Sequence, residues 1–134
     1  MNQPVVLDTH ALVRLFTGTS EDVKKAVMGA SRIVLPLAVC GEFKAGLRSD
    51  KLGRSPDAEL FREFLAVPNT SVHRPSEVTA EFYAKIFDYL KQKGRPIPTN
   101  DIWIAAETME IGGWLFSCDR HFAEVPMLTW TYCE

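Results

Sequence analysis

Apolar residues along this chain fall into two patterns, short unbroken runs and longer stretches that repeat at helical spacing. Val5-Val6-Leu7, Ile33-Val34-Leu35 and Trp114-Leu115-Phe116 are unbroken. Runs of this kind suit strands covered on both faces, as the central strands of a parallel sheet are. They predict strands over residues 4–8, 32–35 (closed by Pro36) and 114–119, with weaker strands at 71–73 and near 128–132.

The segments between them read as helices. Thr9 can cap a helix through Phe16 that Gly18 ends. Ser20 followed by Glu21-Asp22 opens another, its acidic first turn suiting the helix dipole. From Leu37 to Leu47, Val39, Phe43 and Leu47 recur at four-residue steps, and Glu42 stands at the margin of that stripe. Ser55-Pro56 starts a helix toward Val67. Ser76 caps the longest helix, with Val78, Phe82, Ile86 and Leu90 on one side and Gly94 as its stop. Pro96 to Pro98 form a stiff approach to a last helix, from Asp101 to Gly112-Gly113. Strands alternating with helices predict an α/β fold, a mostly parallel sheet with helices on both faces.

At 134 residues, the expectation is a single domain over 1–134. Such a domain buries roughly two-thirds of its unfolded surface. No apolar run is long enough to span a bilayer, and Met1-Asn2-Gln3-Pro4 lacks a signal peptide's basic start. Three cysteines, Cys40, Cys118 and Cys133, lack metal-type spacing and argue against a disulfide framework. Together these features predict a cytoplasmic protein with no membrane partner. The sequence has no nucleophile-elbow, phosphate-loop or dinucleotide motif.

Asp8 ends the first apolar run and Asp119 follows the last strong one, so both belong at the carboxyl edge of the sheet, where ligand crevices form. Asp101 opens the helix leading into the latter strand, and Glu42 lies on the helix after the second. Each acid alone has a structural reading: Asp8 and Asp101 at helix starts, Asp119 at a turn, and Glu42 as a solvated helix residue. Gathered in one cleft, the four repel unless a hard cation sits among them, which suits Mg²⁺ or Mn²⁺ and metal-dependent phosphoryl transfer. The net charge of −2 decides little, because setting those four acids aside leaves a slightly basic remainder. Lys44, Arg48 and Lys51 follow Glu42 at helical spacing, either as a solvated face or as a grip on phosphates. Cys118, His121 and Cys133 do not make a paired zinc motif.

Several segments together resemble the PIN-domain ribonucleases, and among them the VapC toxins of toxin–antitoxin pairs. They are Val5-Val6-Leu7-Asp8-Thr9, Ala38-Val39-Cys40-Gly41-Glu42-Phe43, Ile97-Pro98-Thr99-Asn100-Asp101-Ile102-Trp103-Ile104-Ala105-Ala106 and Leu115-Phe116-Ser117-Cys118-Asp119-Arg120-His121-Phe122. The resemblance spans nearly the whole chain in order, and the segment around Asp101 is its most specific part. It implies a PIN-like three-layer fold and a Mg²⁺-dependent endoribonuclease (Mn²⁺ also serving), with Asp8, Glu42, Asp101 and Asp119 as catalytic metal ligands. It further implies Thr9 and Thr99 as accompanying hydroxyls, an RNA substrate, a VapB-like antitoxin whose tail fills the groove, and a homodimer. His10 departs from the Asn often found there. The rival readings are a non-catalytic PIN-type binding module and a phospho-acceptor receiver domain. A receiver would want adjacent acids after the first strand and a late Lys, whereas Thr9-His10 follows Asp8 and no Lys follows Lys93.

Overall fold

The computed structural model describes residues 3–49 and 57–134. Five strands form one sheet: β1 (Val5–Leu7), β2 (Ile33–Pro36), β3 (Thr70–His73), β4 (Trp114–Ser117) and β5 (Trp130–Tyr132). Their order is β3-β2-β1-β4-β5, and every neighbouring pair is parallel. Among the described residues six helices connect them: α1 (Thr9–Thr17), α2 (Glu21–Gly29), α3 (Leu37–Ser49), α4 (Asp57–Leu65), α5 (Glu77–Lys93) and α6 (Thr99–Glu110). A 3-10 helix, Arg120–Glu124, follows β4. Among the described residues no helix is long and apolar enough to cross a membrane.

The connection order fixes the layers. From β1 the chain steps outward to β2 and β3, then returns to place β4 on the other side of β1. Parallel crossovers are right-handed, so this reversal puts α1 to α4 on one face and α5 and α6 on the other. It also opens a crevice between the carboxyl ends of β1 and β4, the topological switch point where ligands bind in such sheets. The core beneath it is built from buried apolar side chains. Val6, Leu7, Leu12, Leu35 and Leu115 are 0% exposed, and Phe122 of the 3-10 helix closes the same cluster.

Local chemistry explains most element ends. Ser20 accepts from Val23 N and starts α2, while Ser76 and Thr79 form a reciprocal capping box on α5. Gly94 ends α5 in the left-handed region at φ 66°, where a side chain would be strained. Gly113 is required for a different reason: a Cβ there would stand 2.7 Å from Val6 Cγ2. Its bare backbone lets the turn before β4 lie against β1.

Four local expectations are corrected. Asp8, not Thr9, caps α1, since a carboxylate oxygen accepts from Ala11 N. The last helix begins at Thr99, so Asp101 lies inside its first turn. The final strand stops at Ser117, which leaves Asp119 two residues beyond it, capping the 3-10 helix. Val78 is 54% exposed, because the first turn of α5 overhangs the core that Ile86 and Leu90 enter. The Ser55-Pro56 start signal lies outside the described residues.

Candidate active site

Asp8 is placed by the geometry of β1 into α1. Strand pairing carries its backbone amide to Phe116 O, and its carboxylate then caps the helix. One oxygen accepts from Ala11 N at 2.9 Å and the other from the Ser117 hydroxyl. The residue is 5% exposed. Burial pushes the Asp8 carboxyl above its ordinary value; Ser117, Ala11 and nearby His10 oppose that rise, and the charge of Asp101 adds to it.

Ser117 works in two directions. Its hydroxyl donates to Asp8 while its oxygen accepts from Asp119 N at 2.9 Å. One fully buried side chain at the end of β4 therefore fixes the acid after β1 relative to the acid after β4. Asp119 in turn accepts from His121 N at 2.9 Å, capping the 3-10 helix. That turn swings the imidazole inward, so that His121 Nδ1 lies 3.0 Å from Asp101 Oδ2 and 3.0 Å from Asp119 Oδ1. Burial pushes the Asp101 carboxyl up; the His121 hydrogen bond pulls it down, and the charges of Asp119 and Glu42 raise it again. The same hydrogen bond to Asp101 holds the His121 imidazole above its ordinary value.

Glu42 enters from α3, where its Oε1 accepts from Thr9 Oγ1 at 3.0 Å. Thr9 is thus turned away from helix capping and toward an acid. The start of α3 is held by Glu107 of α6, which is 1% exposed and accepts from Leu37 N at 3.1 Å. Glu107 also contacts His73 Nδ1 at 2.8 Å, and His73 Nε2 reaches Glu110 at 3.2 Å. This network joins β3, α3 and α6 beneath the cleft.

The structure groups Asp101 and Asp119 closely, ties Asp8 to Asp119 through Ser117, and leaves Glu42, bonded to Thr9, near enough for its charge to act on Asp101. Thr99 opens α6, and among the described residues its side chain has no hydrogen bond to the acids. Lys44 and Arg48 are exposed on α3 beyond Glu42, while Lys51 lies outside the described residues. Cys118 and Cys133 face each other with Sγ atoms 3.0 Å apart, and His121 joins the acids instead. A cleft of about 310 Å³ adjoins Glu42 between α1 and α3, reaching Phe43 and Leu47. A separate cavity of about 770 Å³ lies elsewhere, between α2 and the sheet at Val5 and Trp114.

Three contributors escape a reading of the sequence alone. Ser117 reads as the polar end of a strand, and only its position two residues before Asp119 hints at a bridge. His121 looks like a turn residue. Glu107 directly follows the apolar stretch Ile102 to Ala106 of α6, and an acid in that position is the signal of a buried, partnered carboxylate.

Comparison with known proteins decides the family. The PIN-domain family model matches residues 5–128. The chain belongs to the PIN-domain family. This PIN domain is 27% identical over 131 residues to "Ribonuclease VapC1" of Haemophilus influenzae strain R2866, covering 93% of this chain and 94% of that protein. Among solved structures it resembles VapBC-1 from nontypeable Haemophilus influenzae, at 26% identity and TM-score 0.78, over 97% of this chain and 98% of that one. It shares its fold with VapBC2 from Rickettsia felis, solved bound to a promoter DNA fragment, at TM-score 0.82 and 19% identity, covering 98% and 100% of the two chains.

Proposed function

We propose that this PIN domain is a Mg²⁺-dependent endoribonuclease, the toxin of a type II toxin–antitoxin pair, with Asp8, Glu42, Asp101 and Asp119 as its catalytic and metal-holding residues. The observation that carries the reading is the buried Asp8 carboxylate, tied through Ser117 to Asp119 and raised chiefly by its burial, with the charge of Asp101 adding to it, at the switch point of a parallel sheet. Two of these carboxyls sit above their ordinary values partly because other acids crowd them, the electrostatic condition that a divalent cation relieves. The donor set fits the ion: carboxylate oxygens suit Mg²⁺ and Mn²⁺ better than softer metals. Similarity to a protein named ribonuclease VapC1, and to chains solved as VapBC complexes, supports both the RNA substrate and an antitoxin partner.

When bound, the cation would neutralise charge on the scissile phosphate and lower the pKa of an attacking water. The chain's own residues supply the rest. Asp8 and Asp101 hold the charge needed to retain the ion, and the Ser117 hydroxyl opposes the effect of burial on the Asp8 carboxylate. Glu42, oriented by Thr9, faces the same crevice from the opposite wall. Lys44, Arg48 and Lys51 would hold the phosphates of a strand running along α3, a contact that gives affinity without base selection. The cleft between α1 and α3 offers Phe43 and Leu47 to the apolar residues of an antitoxin tail. The active form is taken as a homodimer, by resemblance to the family.

Incubation of the purified chain with total RNA, with and without Mg²⁺, followed by sequencing of new 5′ ends, tests the reading. Cleavage should need the ion, leave 5′-phosphate and 3′-hydroxyl ends, and disappear in Asp8→Asn and Asp101→Asn. A 2′,3′-cyclic phosphate would refute the metal-activated water. Saturable RNA binding without cleavage would return the chain to the binding-module reading.

A further inference from the structure

The acids are not the only donors in the crevice. His121 Nδ1, Asp101 Oδ2 and Asp119 Oδ1 form one group whose atoms all lie within 4.8 Å of one another. The imidazole nitrogen stands 3.0 Å from each of the two carboxylate oxygens. Adjacent ligands on an octahedral ion at about 2.0–2.1 Å are separated by about 3.0 Å. The nitrogen therefore already lies at the separation from both oxygens that adjacent ligands of one ion adopt.

Two features hold it there. Asp119 caps the 3-10 helix through His121 N, and the Ser117 hydroxyl oxygen receives Asp119 N, so carboxylate and imidazole share one rigid turn. Asp101 comes from a different element, the first turn of α6. The three donors thus close on one another from two sides of the crevice.

We infer that His121 is a metal ligand of this site, binding through Nδ1 beside Asp101 and Asp119, and that it biases the site toward Mn²⁺ over Mg²⁺. The inference rests on the metal-dependent reading proposed above. The ion takes the place of the proton that the ring shares with the two carboxylates, and that proton leaves to solvent. Imidazole nitrogen is a favourable ligand for transition metals and a poor one for Mg²⁺, which prefers oxygen. An all-carboxylate site discriminates weakly between the two ions, whereas one nitrogen ligand separates them. His121 is 48% exposed at its side chain, so replacing it leaves the core untouched.

The test is pulsed electron paramagnetic resonance on the full chain loaded with Mn²⁺, together with calorimetric titration of Mn²⁺ and Mg²⁺, for the wild type, His121→Gln and Asp101→Asn. The wild type should show modulation from a directly bound ¹⁴N that His121→Gln lacks. Loss of even an outer-sphere partner costs roughly 10–100-fold in metal affinity, so His121→Gln should weaken Mn²⁺ at least about tenfold while shifting Mg²⁺ less. Mn²⁺ binding that needs Asp101 but shows no nitrogen modulation, with His121→Gln equal to or tighter than the wild type, overturns the assignment and leaves the acidic site standing. Absence of saturable Mn²⁺ binding to the wild type overturns the assignment and the metal reading beneath it.

Discussion

Replacing Ser117 by Ala tests whether the crevice is organised as described. The change removes only a hydroxyl, from a residue that is 0% exposed, but that hydroxyl serves two partners. Losing the bond to the Asp8 carboxylate should cost about 1.5–3 kcal/mol, as expected for a hydrogen bond to a charged group, and losing the Asp119 N–H acceptor about 0.5–1.5 kcal/mol. Ser117→Ala should therefore destabilise the fold by about 2–4 kcal/mol in urea titration near neutral pH without metal. The deficit should depend on pH with a definite sign. The folded Asp8 carboxyl lies above its unfolded value because of burial, so ionising it weakens the fold as pH rises through that folded value. Ser117 opposes the shift, so the variant's Asp8 should titrate higher still, and its stability deficit should narrow as pH falls through the folded Asp8 value. Mn²⁺ affinity should fall about tenfold or more, because the tether between the acids after β1 and β4 is lost. A variant with the wild-type urea midpoint, no pH-dependent difference and unchanged Mn²⁺ affinity would refute the tether.

Three further outcomes follow from the same geometry. Removing both charges in Lys44→Ala/Arg48→Ala should reduce the slope of log K against log salt for single-stranded RNA by about 1.4, with the cleavage position unchanged; an unaltered slope assigns both residues to a solvated face. Glu107→Ala strips the Leu37 amide and His73 of a buried acceptor, which should cost about 2–4 kcal/mol in thermal or urea unfolding, and a cost near zero would show that α3 is anchored otherwise. In a complex with the antitoxin, an Arg of its tail should enter the crevice as a forked cation that Lys cannot reproduce. Changing that Arg to Ala should release the proposed nuclease activity while co-purification persists, and a wild-type complex that cleaves RNA as fast as the free chain refutes this mode of inhibition.

The elements were legible in the sequence because their determinants are local. Val5-Val6-Leu7 and Leu115-Phe116 are apolar on both sides and suit covered strands, and Ser20, Ser76 and Gly94 act within a turn of themselves. The chain positions of the acids were legible too: Asp8 directly follows an apolar run, Glu42 stands at the margin of an apolar stripe, and Asp101 opens a helix. What the sequence could not disclose is which runs become neighbours. β1 lies beside β4 across most of the chain, and Ser117 meets Asp8 at a separation of 109 residues. That adjacency is a property of strand order and crossover handedness, not of any window of sequence. Capping shows the same limit on a smaller scale. Thr9 and Asp8 are both good helix starters; the extended backbone of Asp8 makes it the cap, while the Thr9 hydroxyl, inside the first turn, donates to Glu42 of α3. The inward turn of His121 and the burial of Glu107 have the same origin. Each needs a partner from another element, Asp101 or Leu37 and His73, and so becomes visible only once the sheet has brought those elements together.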